Sequence, residues 1–206
     1  MNIFRALTIK PWLPEEDSSV VEIHPDGAVV LHSAKLALRL FLAVVGVLFS
    51  LFLAAYYVRM EVPDWRPLAE PGLLWANTGV LFLASIALQW TRQVTYRENL
   101  AQIKLGLLAG ITLTLAFLGG QLWVWQQLMA EGYYAVGNPA NAFFYLITAV
   151  HGVHIAGGLF VWTRTALQVW RGAQAYQIRL SVELCTVYWH FLLLVWLGVF
   201  WVLLST

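Results

Sequence analysis

The sequence predicts an all-α protein: a polytopic membrane helix bundle with five transmembrane helices, its N-terminus cytoplasmic and its C-terminus periplasmic. Three observations predict it. Hydrophobic residues make up 60% of the 206-residue chain and charged ones 11%, with a mean hydropathy of +0.70. A soluble domain carries about 25% charged residues, so this chain cannot cover itself with a charged surface. Five apolar windows of 19 to 24 residues recur along it, and about 20 residues suffice to cross a hydrocarbon core. Finally, ten of the twelve basic residues fall on one side of those windows. Arg5, Lys10, Lys35 and Arg39 lie in the N-terminal stretch; Arg92, Arg97 and Lys104 follow the second window; Arg164, Arg171 and Arg179 follow the fourth. Only Arg59 and Arg66 lie opposite. The positive-inside rule makes the basic side cytoplasmic, and an odd number of spans carries the C-terminus across.

Taken in order, residues 1–35 read as a cytoplasmic tail and residues 36–204 as the membrane domain. The tail has no apolar h-region and carries Glu15, Glu16, Asp17, Glu22 and Asp26, so no signal peptide is expected there. Val20–Ile23 and Ala28–Leu31, flanking His24-Pro25-Asp26-Gly27, predict a β-hairpin around a Pro-Asp-Gly turn. A lone hairpin is marginal in water, so it is expected to lean on a partner or on the bundle. The spans are Leu36–Val58, Gly72–Trp90, Leu105–Leu128, Ala142–Trp162 and Leu184–Leu204. Asn77, Thr78, Ser85 and Gln89 dilute the second. Arg39 falls one turn inside the first and snorkels back to the interface. Cys185, the only cysteine, lies in the last span, which excludes a disulfide framework or a cysteine-based metal site.

Aromatic and small residues refine this outline. Trp65, Trp75, Trp125 and Trp201, with Tyr56, Tyr57, Tyr133 and Tyr134, fall near the outer interface; Trp90, Trp162 and Trp170 fall near the inner one. They read as two anchoring belts, whereas Trp189 and Trp196 lie inside the last span. Gly106-x-x-x-Gly110, Gly119-Gly120, and Gly152 with Ala156, Gly157 and Gly158 permit close approach of helices. The fourth span is therefore expected to pack on both sides. No inverted repeat or pair of broken helices argues for a transporter.

Two polar clusters interrupt the apolar windows: Thr148-x-x-His151-Gly152-x-His154, and Glu183 followed by Tyr188-Trp189-His190. Ionisable groups at such depth cost several kcal/mol unless paired or hydrated, so they mark function. At 1.5 Å rise per residue, His154 lies about 18 Å from the outer edge and His190 about 12–15 Å from the inner one, both near the midplane. Thr148, His151, Gly152 and Ile155 share one face of the fourth helix; Glu183, Val187, His190 and Leu194 share one face of the fifth. Two chemistries fit. His154 and His190 can ligate haem axially, as in a membrane cytochrome b-type electron carrier. Alternatively, neutral imidazoles hydrogen-bond to backbone or hydroxyl groups and hold the two helices together, so that His190→Ala weakens the contact between them. The fourth span's glycines argue for close contact and thus for the second. A three-histidine metal site has no carboxylate to orient it.

Phe143-Phe144-Tyr145-Leu146-Ile147-Thr148-Ala149-Val150-His151-Gly152-Val153-His154-Ile155 resembles a signature of subunit III of haem–copper terminal oxidases. Glu183-Leu184-Cys185-Thr186-Val187-Tyr188-Trp189-His190-Phe191, with Trp196, resembles the last helix of that family. Asn77, Thr78 and Ser85 in the second span, and Phe117 and Gln121 in the third, are weaker matches. The likeness runs from about Leu36 to Leu204, in the five-span form found in bacteria. It implies a non-catalytic accessory subunit of a respiratory cytochrome c or quinol oxidase in the bacterial cytoplasmic (inner) membrane. Such a subunit packs against the catalytic subunit I and other oxidase subunits, binds membrane lipid in a cleft, and supports oxygen reduction and proton uptake. Haem and copper then belong to the partner, and this chain carries no catalytic residue, no metal and no nucleic-acid partner.

The family-motif positions carried over, as structural residues, are Asn77, Thr78, Gln121, Thr148, His151, Gly152, His154, Glu183, Tyr188, Trp189, His190 and Trp196. Three positions depart from the family: Val45, Val124 and Leu193 stand where it usually has acidic residues, so no proton role passes to them. These departures leave open service to a nitric oxide reductase, whose accessory subunits resemble subunit III. Arg164, Arg171 and Arg179 are candidates for anionic lipid headgroups.

Overall fold

The computed structural model describes residues 28–66 and 72–205. Five helices account for nearly all of them: α1 Ala28–Met60, α2 Leu73–Tyr96, α3 Leu100–Ala130, α4 Pro139–Trp170 and α5 Ala175–Leu204. Each contains a stretch long and apolar enough to cross a membrane, as the sequence predicts. Four of them have 30 to 33 residues, about 45–50 Å at 1.5 Å per residue, and so extend past a core of about 30 Å into the headgroup layers.

The connections expected after the second and fourth spans are accordingly much shorter than the charged segments suggested. Residues 91–96 and 100–104 continue α2 and begin α3, and residues 163–170 and 175–183 do the same for α4 and α5. Hydropathy ends at the lipid boundary, but backbone hydrogen bonding carries the helix on until a cap stops it. Asn99 caps α3, its Oδ1 accepting from Gln102 N at 3.2 Å. Asn138 caps α4, accepting from Ala140 N at 3.3 Å, with Pro139 preset for the first turn. Gly132 and Gly172 adopt φ of +88° and +98° past α3 and α4. There Tyr133 N donates to Leu128 O at 2.9 Å and Ala173 N to Gln168 O at 3.0 Å, the Schellman pattern that positive φ permits.

The hairpin expected over residues 20–31 needs correction in its second half. Ala28–Leu31 form the first turn of α1 and not a strand; residues 20–27 lie outside the described residues. A four-residue apolar run fits helix or strand equally well, and continuity with a long helix decides it here.

The described residues from 37 onward form one compact unit. Within it α2 packs on α3, α3 on α4, α4 on α5 and α5 back on α2, a closed ring of four antiparallel neighbours. The fourth span is indeed packed on both sides. Helix α1 lies outside the ring, where Val45, Phe49 and Tyr56 meet Ile147 of α4 and Val199 and Val202 of α5. Each ring helix turns a narrow stripe inward, spaced by three and four residues; on α3 it is Ile103, Gly106, Leu107, Gly110, Thr114, Phe117, Gln121, Val124 and Leu128. The outward faces are equally apolar, with Leu115, Leu122, Val153, Phe160 and Leu194 all exposed. Only a hydrocarbon surround makes that surface favourable.

The glycines sort by position. A Cβ on Gly110 would lie 2.9 Å from Trp162 Nε1, and one on Gly158 would lie 2.5 Å from Trp189 Cζ3; Gly106 and Gly120 abut Thr91 and Asn77 of α2 as closely. Gly119 and Gly157, by contrast, face open space, and Ala156 is exposed.

Candidate functional site: a polar layer at the centre of the ring

In hydrocarbon, polar side chains are satisfied only by one another or by backbone, so they gather where helices meet. Each joint of the ring holds such a bond. Between α2 and α3, Asn77 Nδ2 donates to Gln121 Oε1 (3.2 Å). Between α2 and α5, Trp196 Nε1 donates to Thr78 Oγ1 (2.9 Å), while Thr78 itself donates to Leu74 O (2.8 Å). Between α3 and α4, Trp125 Nε1 donates to Thr148 Oγ1 and Trp162 Nε1 to Leu107 O, both at 3.1 Å. Between α4 and α5, Tyr188 OH donates to His154 O (2.8 Å), and the hydroxyls of Thr165 and Ser181 share a hydrogen bond (2.6 Å).

Six of the motif positions thus form one layer across the ring: Asn77, Thr78, Gln121, Thr148, His151 and Trp196. His151 is its centre. It is fully buried, its ring 5.0 Å from that of Trp196 on α5 and 6.1 Å from those of Phe117 on α3 and Phe49 on α1. Neither ring nitrogen has a hydrogen-bond partner among the described residues, and neither has Gln121 Nε2. His151 therefore joins α4 to three other helices by ring packing.

The other imidazoles bond within their own helices. His154 Nδ1 donates to Val150 O at 2.7 Å and His190 Nδ1 to Thr186 O at 2.6 Å. A carbonyl only accepts, so both rings carry a proton on Nδ1. His154 faces α1, 5.6 Å from Phe49. His190 faces the opposite flank, lining a groove with Ser85 and Gln89 of α2. The expectation that His190 holds α4 against α5 is therefore corrected: Tyr188, two residues earlier, makes that bond, because a 100° step per residue separates the two faces. Trp189 is buried against Gly158, and Gly152 sits beside Leu118.

Glu183 meets Arg92 of α2 at 3.9 Å, near the end of the ring that bears the arginines. Of the three arginines considered for lipid, Arg179 is held by protein groups: Glu98 at 3.8 Å and the Tyr96 ring at 4.7 Å. Arg164 and Arg171 are exposed. Trp162, expected as an interfacial anchor, is fully buried; its place one helical turn before Thr165 and Ala166 on the inward stripe overrides its depth. Val45, Val124 and Leu193, at the usually acidic positions, are all buried in apolar clusters.

Sequence reading did not single out Trp125, Trp162, Thr165 or Ser181 as cross-links, nor Arg92 as the partner of Glu183. A usable signal existed for the hydroxyl pair, since Thr165 lies six residues before the Arg171–Gln174 turn and Ser181 seven after it. Among the described residues no group of three or more His, Cys, Asp or Glu side chains is placed to hold a metal ion.

Comparison with known proteins agrees with this construction. The family model for cytochrome c oxidase subunit III matches residues 24–205, reaching further toward the N-terminus than Leu36. The probable cytochrome c oxidase subunit 3 of Mycobacterium tuberculosis is 33% identical over 93 residues, 43% of this chain and 44% of the relative. The cytochrome bo(3) ubiquinol oxidase subunit 3 of Pseudomonas aeruginosa is 26% identical over 161 residues, 75% of this chain and 76% of the relative. The cytochrome c oxidase subunit 3 of a Bacillus species is 27% identical over 169 residues, 78% and 80% respectively. The matched region spans less than half the length of the Mycobacterium tuberculosis relative.

Proposed function

The chain belongs to the cytochrome c oxidase subunit III family, and from that membership we propose that it serves as a non-catalytic accessory subunit of a respiratory haem–copper oxidase. It packs in the bacterial cytoplasmic membrane against the catalytic subunit I, basic end toward the cytoplasm, and supports oxygen reduction carried out by haem and copper in that partner. The observation that carries the reading is a family match running through all five helices. The motif residues act structurally, as the cross-links and central packing of a ring whose shape the partner reads. Proton uptake through this chain's own buried carboxylates finds no support, because Val45, Val124 and Leu193 are apolar and enclosed.

Phospholipid is the further ligand of this reading. An apolar groove of about 410 Å³ between α1, α4 and α5, lined by Leu38, Phe41, Gly157, Val161 and Leu184, suits an acyl chain. Arg164 follows Gly157 and Val161 on the same face of α4, where a phosphate would lie. Haem ligation by His154 and His190 has no such support, since the two face opposite flanks. The named relatives are oxidase subunits, and no observation favours service to a nitric oxide reductase.

Purification from native membranes in mild detergent tests the proposal. The expected result is a complex with a Soret band that belongs wholly to another polypeptide, the chain expressed alone being colourless. A chain that purifies without a haem-bearing partner, or that binds haem by itself, overturns it.

A further inference from the structure

A buried polar atom left unanswered costs free energy, so a place where several gather is a place where something polar belongs. Seven buried side-chain nitrogens and oxygens lack a hydrogen-bond partner among the described residues, and three of them belong to the central layer: Gln121 Nε2 and both ring nitrogens of His151. His154 and His190 answer Nδ1 with the carbonyl four residues earlier; the corresponding Ile147 O is not used by His151. Asn77 Nδ2 takes Oε1 of Gln121, so the amide nitrogen is the end left over. The two groups stand at one level. Phe117 of α3 packs on the His151 ring at 6.1 Å, and Trp125 of α3 bonds to Thr148. Gln121 lies one turn from each, which sets it opposite the Thr148–His151 turn of α4. Both side chains belong to the buried stripes of their helices. A groove of about 340 Å³ between α3 and α4, lined by Gln121, Trp125, Thr148 and Gly152, brings open space up to the amide.

The chemistry of the donor set selects the ligand. An amide nitrogen only donates, whereas a neutral imidazole has one donor and one acceptor. A molecule that answers both must accept from Gln121 and exchange a hydrogen bond of either sense with His151. It must also be small, because His151 is 0% exposed and Gln121 4%. Water meets both demands, and buried water typically sits between two to four such groups. We propose that the ring binds an ordered water between Gln121 Nε2 and a ring nitrogen of His151. That water carries the Asn77–Gln121 bond onward into α4, so that one polar line runs through α2, α3 and α4. It also gives the His151 ring a polar anchor in addition to the packing of Phe49, Phe117 and Trp196. The inference uses contacts within this chain alone and stands apart from the accessory-subunit reading.

The experiment takes the chain as it purifies from native membranes, with whatever subunits accompany it, and images it by electron cryomicroscopy at a resolution that shows ordered waters. The expected result is a peak within about 3.2 Å of both Gln121 Nε2 and one ring nitrogen of His151. No peak, a peak bonded to one of the two alone, or a direct bond between the two side chains overturns the proposal. A second measurement is independent of the map. His151→Phe keeps a packed ring and removes both nitrogens, and is expected to raise the rate at which Cys185 is labelled by a thiol reagent during denaturation about threefold, the effect of one interhelical hydrogen bond in a membrane. With Gln121→Leu already in place, the same substitution should leave that rate about unchanged, since the bridge is then gone. Equal effects of His151→Phe in the two backgrounds overturn the proposal as well.

Discussion

Trp196 closes the ring, and a double-mutant cycle with Thr78 measures how firmly. Its Nε1–H donates across α2 and α5 over 2.9 Å, and both side chains are buried. In Trp196→Phe the bond is lost, but Thr78 remains satisfied as a donor through Leu74 O. The cost should be close to one interhelical bond in lipid, about 0.6–1.7 kcal/mol. In Thr78→Val the indole N–H is left buried without an acceptor, which costs about 1–3 kcal/mol. The double variant should then be less destabilised than the sum, with a coupling of about 0.6–1.7 kcal/mol. Cys185 provides the assay: it is the only thiol in the chain and is buried in α5, so pulses of a thiol reagent during denaturation in micelles report opening of the ring. A coupling within about 0.3 kcal/mol of zero would refute the claim that this bond joins α2 to α5.

Three other outcomes are expected. Gly158→Ala would bring a Cβ to 2.5 Å from Trp189 Cζ3 and 2.6 Å from Tyr188 Cε1, costing about 1–3 kcal/mol; Gly157→Ala meets nothing within 4 Å and should gain about 0.5–1 kcal/mol, so thiol labelling should shift in opposite directions. Tyr188→Phe should weaken α4 against α5 by about 0.6–1.7 kcal/mol, while His190→Ala in the isolated chain should stay within about 0.5 kcal/mol of the parent; thermal unfolding in detergent compares them. Two hydrogen bonds from the Arg59 guanidinium, at 2.7 and 2.6 Å, hold the Asp64 carboxyl below its ordinary 3.8. Because the folded value is the lower one, the clasp is complete above about pH 4 and is lost as pH falls through the depressed value. Hydrogen exchange over residues 60–66, corrected for intrinsic rates, should therefore quicken in acid, and Asp64→Asn should abolish that dependence.

The helices and their number were legible because a spanning segment must be apolar along its whole length. Which face of each helix turns inward was not, because lipid and protein interior are equally apolar and the 3.6-residue period carries little contrast. Small and polar residues carried that information instead. Gly106, Gly110 and Gly158 marked true contacts, yet Gly119 and Gly157, of the same type, did not. The six-residue layer around His151 was readable as a set of motif positions, but not as a network, since Thr78 and Trp196 are 118 residues apart. Trp162 was misread because depth alone cannot separate an anchor from a buried donor. Similarly, His190 and Tyr188 lie within one turn but serve different faces, and only the packing of α2 beside α5 shows which.

The position of α1 outside the ring has a consequence for biogenesis. Translation delivers α1 first, yet its neighbours Ile147, Val199 and Val202 sit on the last two helices. Its contacts within this chain must wait until those helices emerge, whereas α2 meets α3 at once. The chain is composed accordingly: the most apolar window of α1 has a mean hydropathy of 2.5, with 11% of it buried, against 1.4 and 39% for α2. The segment whose neighbours in this chain come last carries its own driving force, and the segment with an immediate companion can hold Asn77 and Thr78 of the polar layer.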